Sequence, residues 1–313
     1  MTTAPTELME RLEALLPEPH LATLQSTTVD KQVSFRLTTL KADPIDTLAR
    51  LQNDGFAPQP IECIDHAWHI ESAKRHELTH HPAAEGGLIY IMNPSSMLAA
   101  QLLAPQPGEE VLDLAAAPGG KSIHLAELMQ NQGRLACVEP IKNRFFRLKA
   151  NLERCGVDIA QLYQADGRGI GRKVPARFDR VLLDAPCSSE ARIRFDDPES
   201  WAHWSPRKIK ETSKKQRRLL LSALTCVKPG GHVLYSTCSF APEENEGVVD
   251  HAIKRFDGQL DILPITLHQD IPHQNGLTQW HKHTYHPDCQ NSVRILPNTL
   301  FDGFFLCLIK RTA

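Results

Sequence analysis

Two cysteines stand where apolar runs end. Cys187 closes Asp184-Ala-Pro-Cys187-Ser-Ser after Val181-Leu-Leu, and Cys238 closes Ser236-Thr-Cys238-Ser after Val233-Leu-Tyr. Two thiols at the mouths of adjacent strands, without metal-ligand spacing, suggest covalent chemistry. One reaction makes sense of the pair. Carbon 5 of cytosine is too poor a nucleophile to take a methyl group unaided, so a thiolate first adds to carbon 6 and pushes electron density onto carbon 5. A base then removes the carbon 5 proton and the thiolate is expelled. One cysteine would attack while the other assists release. Asp184 could hold or protonate the ring at N3 and N4, with Lys121 sharing that electrostatic task. The attacking thiol would be partly ionised relative to its reference pKa of about 8.5, helped by nearby cations.

A methyl donor needs its own seat, and the stretch Val111 to Ser122, VLDLAAAPGGKS, offers one. A short apolar run ends in an acid, and small residues then let the backbone pass close to a ligand. Residues Ala115 to Ser122 fit a relaxed phosphate loop; they also fit the turn that binds S-adenosylmethionine. Pro118 removes a backbone N–H from the middle of the loop, which weakens the phosphate reading. A ribose would want an acid at the end of the next strand, and Arg134 to Glu139 is an apolar run ending in Glu139. Asp113, Glu139, Asp166 and Asp184 then end four consecutive strands on one rim. Gathering four acids is unfavourable unless a polar or cationic ligand is met there, and a sulfonium with an amino group, a ribose and an adenine is such a ligand.

The elements that must position these groups alternate from residue 111 onward. Strands are expected at 111–114, 135–139, 159–164, 178–184, 232–240 and 304–309, with helices at 121–130, 142–155 and from Ser205-Pro206 through Val227. Such a rhythm argues a parallel sheet with helices on both faces and function at the carboxyl ends of the strands. Before it, residues 6–16 have helical spacing, Val33, Phe35 and Leu37 alternate as in a half-buried strand, and Asp43-Pro44 reads as the start of a helix with Ile45, Leu48 and Leu51 on its apolar face. Leu88 to Met92 is a short strand, and Asn93-Pro94-Ser95 caps a helix to Leu103. Residues 258–300 read only as a connection.

Composition narrows the class. A chain of 313 residues, 41% apolar, can bury one large core and carry a smaller second domain. The acidic, amphipathic N-terminus and the lack of a long apolar run lead to the expectation of a cytoplasmic protein without membrane contact; a monomer is expected as well. Eight cysteines with no CxxC spacing read as reduced thiols. No metal is expected, and His281, His283, His286 and Cys289 read as a polar loop. With a formal charge of −2, basic surface must be local: Arg168, Arg172, Lys173, Arg177 and Arg180 form one cluster, and Arg207, Lys208, Lys210, Lys214, Lys215, Arg217 and Arg218 another.

DLAAAPGGKS (113–122), FDRVLLDAPCS (178–188), STCSF with Pro242-Glu243-Glu244-Asn245 after it, and RILPN with DGFFLCLIK (294–310) together resemble the Nop/Sun/Fmu family of RNA cytosine-5 methyltransferases over residues 33 to 311. The resemblance implies a Rossmann-like S-adenosylmethionine-dependent methyltransferase sheet, mostly parallel with an antiparallel last strand, in residues 93–313. It further implies a small N-terminal α/β RNA-recognition domain in residues 1–92. Cys238 would be the nucleophile and Cys187 the aid to product release, with Asp184 and Lys121 beside them. The cofactor would contact Ala115, Ala116, Ala117, Pro118, Gly119, Gly120, Lys121, Glu139, Arg144, Asp166 and Asp184. Phe35 to Lys41 would face the RNA, either ribosomal or transfer RNA. Ser189 stands where the family usually has Gly or Ala, and Thr38 where Asn is commoner. A DNA cytosine methyltransferase, a phosphate-loop NTPase and a non-catalytic RNA-binding protein remain the alternatives.

Overall fold

Alternating apolar residues at 33–37 form a strand, but one that is buried on both faces. The computed structural model describes residues 5–25 and 31–313. Its N-terminal sheet has strands β1 Val33–Leu37, β2 Gln59–Pro60, β3 Ala67–Ile70 and β4 Ile89–Ile91, antiparallel in the order β2-β3-β1-β4. Because β1 is central, all five of its residues are buried. Ser34 Oγ donates to the Met92 carbonyl, and Arg36 reaches across to Glu127 at 2.5 Å. Of the stretch Phe35 to Lys41, expected to face RNA, residues 35–38 are buried while Thr39 and Lys41 are exposed. Arg36 is spent on a buried ion pair, Thr38 Oγ1 donates to the Gly87 carbonyl, and Lys41 Nζ donates to the carbonyls of Gly86 and Arg154.

Helices α1 Thr6–Leu15 and α2 Glu18–Gln25 lie apart from that sheet. Their leucines Leu8, Leu12 and Leu21 join the core that holds Tyr235 and Val248, and Arg11 pairs with Glu243 at 2.6 Å. Within residues 1–92 the apolar packing falls into two parts. Residues 33–91 keep their own core of Phe35, Leu51, Leu78 and Ile89 under helices α3 Pro44–Asn53, α4 Arg75–Thr79 and α5 Pro82–Glu85, while α1 covers apolar surface elsewhere. In α3, Asp43 caps Ile45 N–H at 2.7 Å, but the Ile45 side chain is 76% exposed. The buried face of that helix is Thr47 and Leu51, with Leu48 packed against the same core as expected.

The large sheet follows the expected rhythm. Strands β5 Glu110–Asp113, β6 Arg134–Val138, β7 Ala160–Tyr163, β8 Phe178–Asp184 and β9 Val227–Thr237 pair in parallel in the order β7-β6-β5-β8-β9. They alternate with helices α6 Pro94–Leu103, α7 Gly120–Leu128, α8 Lys142–Arg154, α9 Ile170–Lys173 and α10 Pro206–Cys226, and α11 Glu246–Phe256 follows β9. Residues 258–300 are more than a connection. They hold β10 Leu260–Leu263, β11 His273–Asn275, β12 Gln279–Trp280, β13 His283–Thr284 and β14 Val293–Ile295, too short to show a period. The last strand, β15 Phe304–Arg311, runs antiparallel to β9, and β10, β14 and β11 extend that side. No helix among the described residues is long and apolar enough to cross a membrane.

Candidate active site

The carboxyl ends of β5, β8 and β9 open into a cavity of about 480 Å³, and both cysteines lie in its wall. The neighbouring register of β8 and β9, with Asp184 opposite Ser236, delivers Cys187 and Cys238 to the same height. Their sulfurs are 3.3 Å apart, and Ser189 Oγ stands 3.6 Å from Cys238 Sγ. Ser189 adopts φ +61°, the left-handed region that explains why a glycine suits this place.

Two sulfurs at this distance share a proton unequally. The Cys187 thiol, as donor, holds Cys238 below the usual thiol range, and the Arg192 guanidinium adds to that against the opposing effect of burial. Cys187 is held well above its usual range by the same hydrogen bond and by burial. Of the two, Cys238 is the sulfur favoured as an anion, with the Arg192 guanidinium in the same wall. Arg192 lines the cavity, its backbone N–H donates to the Ser189 carbonyl, and its guanidinium makes no hydrogen bond or ion pair among the described residues. No sequence motif singles it out. A charged side chain five residues after Pro-Cys becomes significant only once the turn at Glu190–Arg192 folds it back.

Asp184 meets Lys121 Nζ at 2.7 Å and accepts Ser236 Oγ–H at 3.1 Å. The lysine also stands over the Phe304 ring at 5.3 Å. This fixed acid–cation pair faces the same cavity as the thiols. The turn after β5 supplies the other half. Ala115, Ala116, Ala117, Pro118 and Gly120 line the cavity; a Cβ on Gly120 would stand 2.6 Å from the Tyr90 ring, so the wall closes only over glycine. Gly119, at φ +114°, lies behind the lining and caps α7 against Leu148. Asp113 is buried, accepts Ser122 Oγ–H at 2.6 Å and is pushed up to about 6 by burial.

Arg144 lines the cavity and donates to the Ala117 carbonyl at 2.7 Å. The two remaining acids lie outside the lining. Glu139 is buried, accepts the Ile141 N–H at 2.9 Å and has Arg144 at 3.5 Å. Asp166 is exposed and clasped by Arg168, whose hydrogen bonds hold its carboxyl below the usual range. It belongs to a separate groove with Arg172, Lys173 and Arg218. From the other side, Tyr90, Met92 and Asn93 bring the end of the N-terminal sheet into the cavity wall. Among the described residues, no group of three or more His, Cys, Asp or Glu side chains is placed to hold a metal ion.

The lining suits a zwitterion with polar arms better than a triphosphate. Asp113 and Asp184 face the cavity alongside Arg144 and Arg192, and Lys121, the one cation of the turn, is already bound to Asp184.

Comparison with known proteins agrees with this geometry. A family model described as 16S rRNA methyltransferase RsmB/F matches residues 100–310. Ribosomal RNA small subunit methyltransferase F of Vibrio parahaemolyticus is 35% identical over 266 residues, 82% of this chain and 55% of its own. The Escherichia coli protein of that name is 37% identical over 236 residues, 74% of this chain and 49% of its own. The chain spans about half the length of the curated relatives it matches. Among solved structures, a methyltransferase homolog protein from Pyrococcus horikoshii is similar with a TM-score of 0.77 at 30% identity, covering 98% of this chain and 100% of that one. NSun6 from Pyrococcus horikoshii, solved with SFG, shares the fold with a TM-score of 0.80 at 20% identity, covering 99% and 98%.

Proposed function

Since this chain belongs to the 16S rRNA methyltransferase RsmB/F family, we propose that it methylates carbon 5 of a cytosine in the RNA of the small ribosomal subunit, with S-adenosylmethionine as donor. The observation that carries the reading is the pair of sulfurs 3.3 Å apart, in one cavity with the Lys121–Asp184 pair. Bound S-adenosylmethionine supplies a methyl group made electrophilic by its sulfonium. Ala115 to Pro118, Gly120 and Arg144 form the wall that would hold it, Asp113 faces the same space, and Gly119, Glu139 and Asp166 lie outside the lining.

Cys238 adds as thiolate to carbon 6 of the ring, the carbon 5–carbon 6 electron pair moving onto carbon 5. Asp184, steadied by Lys121 and Ser236, binds the ring's N3–N4 edge and favours that polarisation. Once carbon 5 carries the methyl group, loss of its proton restores the double bond, and the Cys238 sulfur departs with the pair that bound it. Cys187, protonated beside it, is placed to assist that departure. The enzyme acts as a single chain in the cytoplasm on this reading, and RNA presents the cytosine unstacked.

Incubation of purified protein with small-subunit RNA, transfer RNA and radiolabelled donor tests the proposal. Cys238→Ala should abolish methylation, and Cys187→Ala should accumulate a covalent protein–RNA adduct visible on a denaturing gel. Loss of activity in both without an adduct would overturn the division of labour. Label confined to transfer RNA would overturn the substrate.

A further inference from the structure

Behind the two thiols lie two buried glutamates whose hydrogen bonds cross. Glu190 follows Cys187 in the chain but faces the other cysteine's loop, where it accepts Ser239 Oγ–H at 3.1 Å and Phe240 N–H at 3.0 Å. Its second oxygen accepts the Trp204 indole N–H at 2.8 Å. Glu244 follows Cys238 but holds the loop of Cys187. It accepts the Ser188 N–H at 3.0 and 3.2 Å, the Ser188 hydroxyl, and Gln216 Nε2 at 3.0 Å. Gln216 also donates to the Pro186 carbonyl at 2.9 Å, and the hydroxyls of Ser188 and Ser239 meet at 3.0 Å.

The two side chains are 2% and 0% exposed; neither is in a salt bridge among the described residues, and Glu190 has only the more distant charge of Arg11. Burying a carboxylate without a counter-charge in contact is costly and persists only when several donors converge on it. Two apolar residues could fill this space at lower cost. What apolar residues could not do is tie the backbone beside one thiol to the side chain that follows the other.

We infer that Glu190 and Glu244 are positioning residues forming a reciprocal latch, each reaching from one thiol-bearing loop to the backbone next to the opposite thiol, which sets the distance between Cys187 and Cys238. The inference deepens the two-thiol reading and rests on it for its role in turnover. At 3.3 Å the Cys187 thiol can donate to a Cys238 thiolate. A displacement of about 1 Å removes most of that bond, which weakens both attack and release.

The sulfur separation can be read without RNA or cofactor. Diamide takes up the two thiol hydrogens, becoming the hydrazine, while Cys187 and Cys238 join as a disulfide that peptide mass spectrometry detects. Native protein should close this bond readily. Glu190→Gln and Glu244→Gln keep the side-chain shape but turn an acceptor oxygen into an amide donor, and should close it about tenfold more slowly. Turnover of the same variants should fall about tenfold to a hundredfold with KM for RNA and donor unchanged. Ser188→Ala and Ser239→Ala each remove one hydroxyl donor and nothing larger, and serve if the glutamine variants do not fold; slower closure in either supports the latch. Closure at the native rate in the folded variants would overturn it. Slower closure in a protein whose native form methylates no cytosine would leave the latch standing and remove the functional reading instead.

Discussion

Arg192 does for the thiols what no residue of the Pro-Cys or Thr-Cys-Ser motifs can. Its guanidinium faces the cavity near a sulfur that would otherwise be disfavoured as an anion by burial, and it is itself held above its ordinary value chiefly by Cys238. The thiolate is the reactive form, so methylation should fall as pH drops through the lowered Cys238 value. Arg192→Met removes the cation and moves that value up, so the acid limb of kcat/KM should move to higher pH. Below the new limb, activity should drop about tenfold for each pH unit by which the limb has moved, and it should recover toward native in alkaline buffer. A pH profile with an unmoved acid limb would show that Arg192 serves only to fill space. Cys187, Cys238 and the turn from Ala115 to Lys121 were legible in the sequence because each motif is contiguous and ends an apolar run. Arg192, Tyr90 and Glu190 were not, since each acquires its role from a partner far along the chain.

Helix α7 begins with Gly120 and Lys121 and ends against the N-terminal sheet, so one element touches both the turn after β5 and that sheet. The tie is Arg36–Glu127, with side chains 5% and 4% exposed. Burial pulls each toward its neutral form, Arg36 downward and Glu127 upward, and the pair's mutual attraction opposes this. Removing one partner leaves the other charged and buried. Glu127→Ala should therefore cost about 3–5 kcal/mol, whereas Arg36→Met with Glu127→Leu should recover most of it; calorimetric melting of both variants checks the difference. Gly87 makes the second tie: at φ +74°, a Cβ would stand 2.2 Å from the Arg154 carbonyl oxygen of α8. Gly87→Ala should lower Tm by several degrees, about 1–3 kcal/mol, through that clash. The sequence disclosed the helix starts Asp43-Pro44, Asn93-Pro94 and Ser205-Pro206, where each cap accepts a nearby backbone N–H. It could not disclose where α1 docks or that β1 is covered on both faces. Periodicity reports which face of an element is apolar, not what will lie against it.

At the scale of the whole molecule, a chain of formal charge −2 that acts on RNA as proposed would meet it through local basic surface. Helix α10 offers such a surface. Arg207, Lys208, Lys210, Lys214, Lys215 and Arg218 are exposed along it, and among described partners only Arg207 is paired, with Glu211 at 3.1 Å. Across a groove of about 670 Å³ lie Arg172 and Lys173, also exposed. The opposite face of the same helix carries Gln216, which holds the Pro186 carbonyl next to Cys187, so the basic surface and the thiol loop share one rigid rod. RNA held on this face would release counterions in proportion to the phosphates neutralised. Replacing Lys210, Lys214 and Arg218 together by Gln should weaken RNA binding at low salt. It should also reduce the slope of log Kd against log salt by about 0.7–0.9 for each phosphate no longer neutralised. Donor binding, measured by calorimetry, should stay at the native value because the buried face of α10 is untouched. An unchanged salt slope would place the RNA on another surface, and the run of positive charge on α10 would then be a solvated helix face.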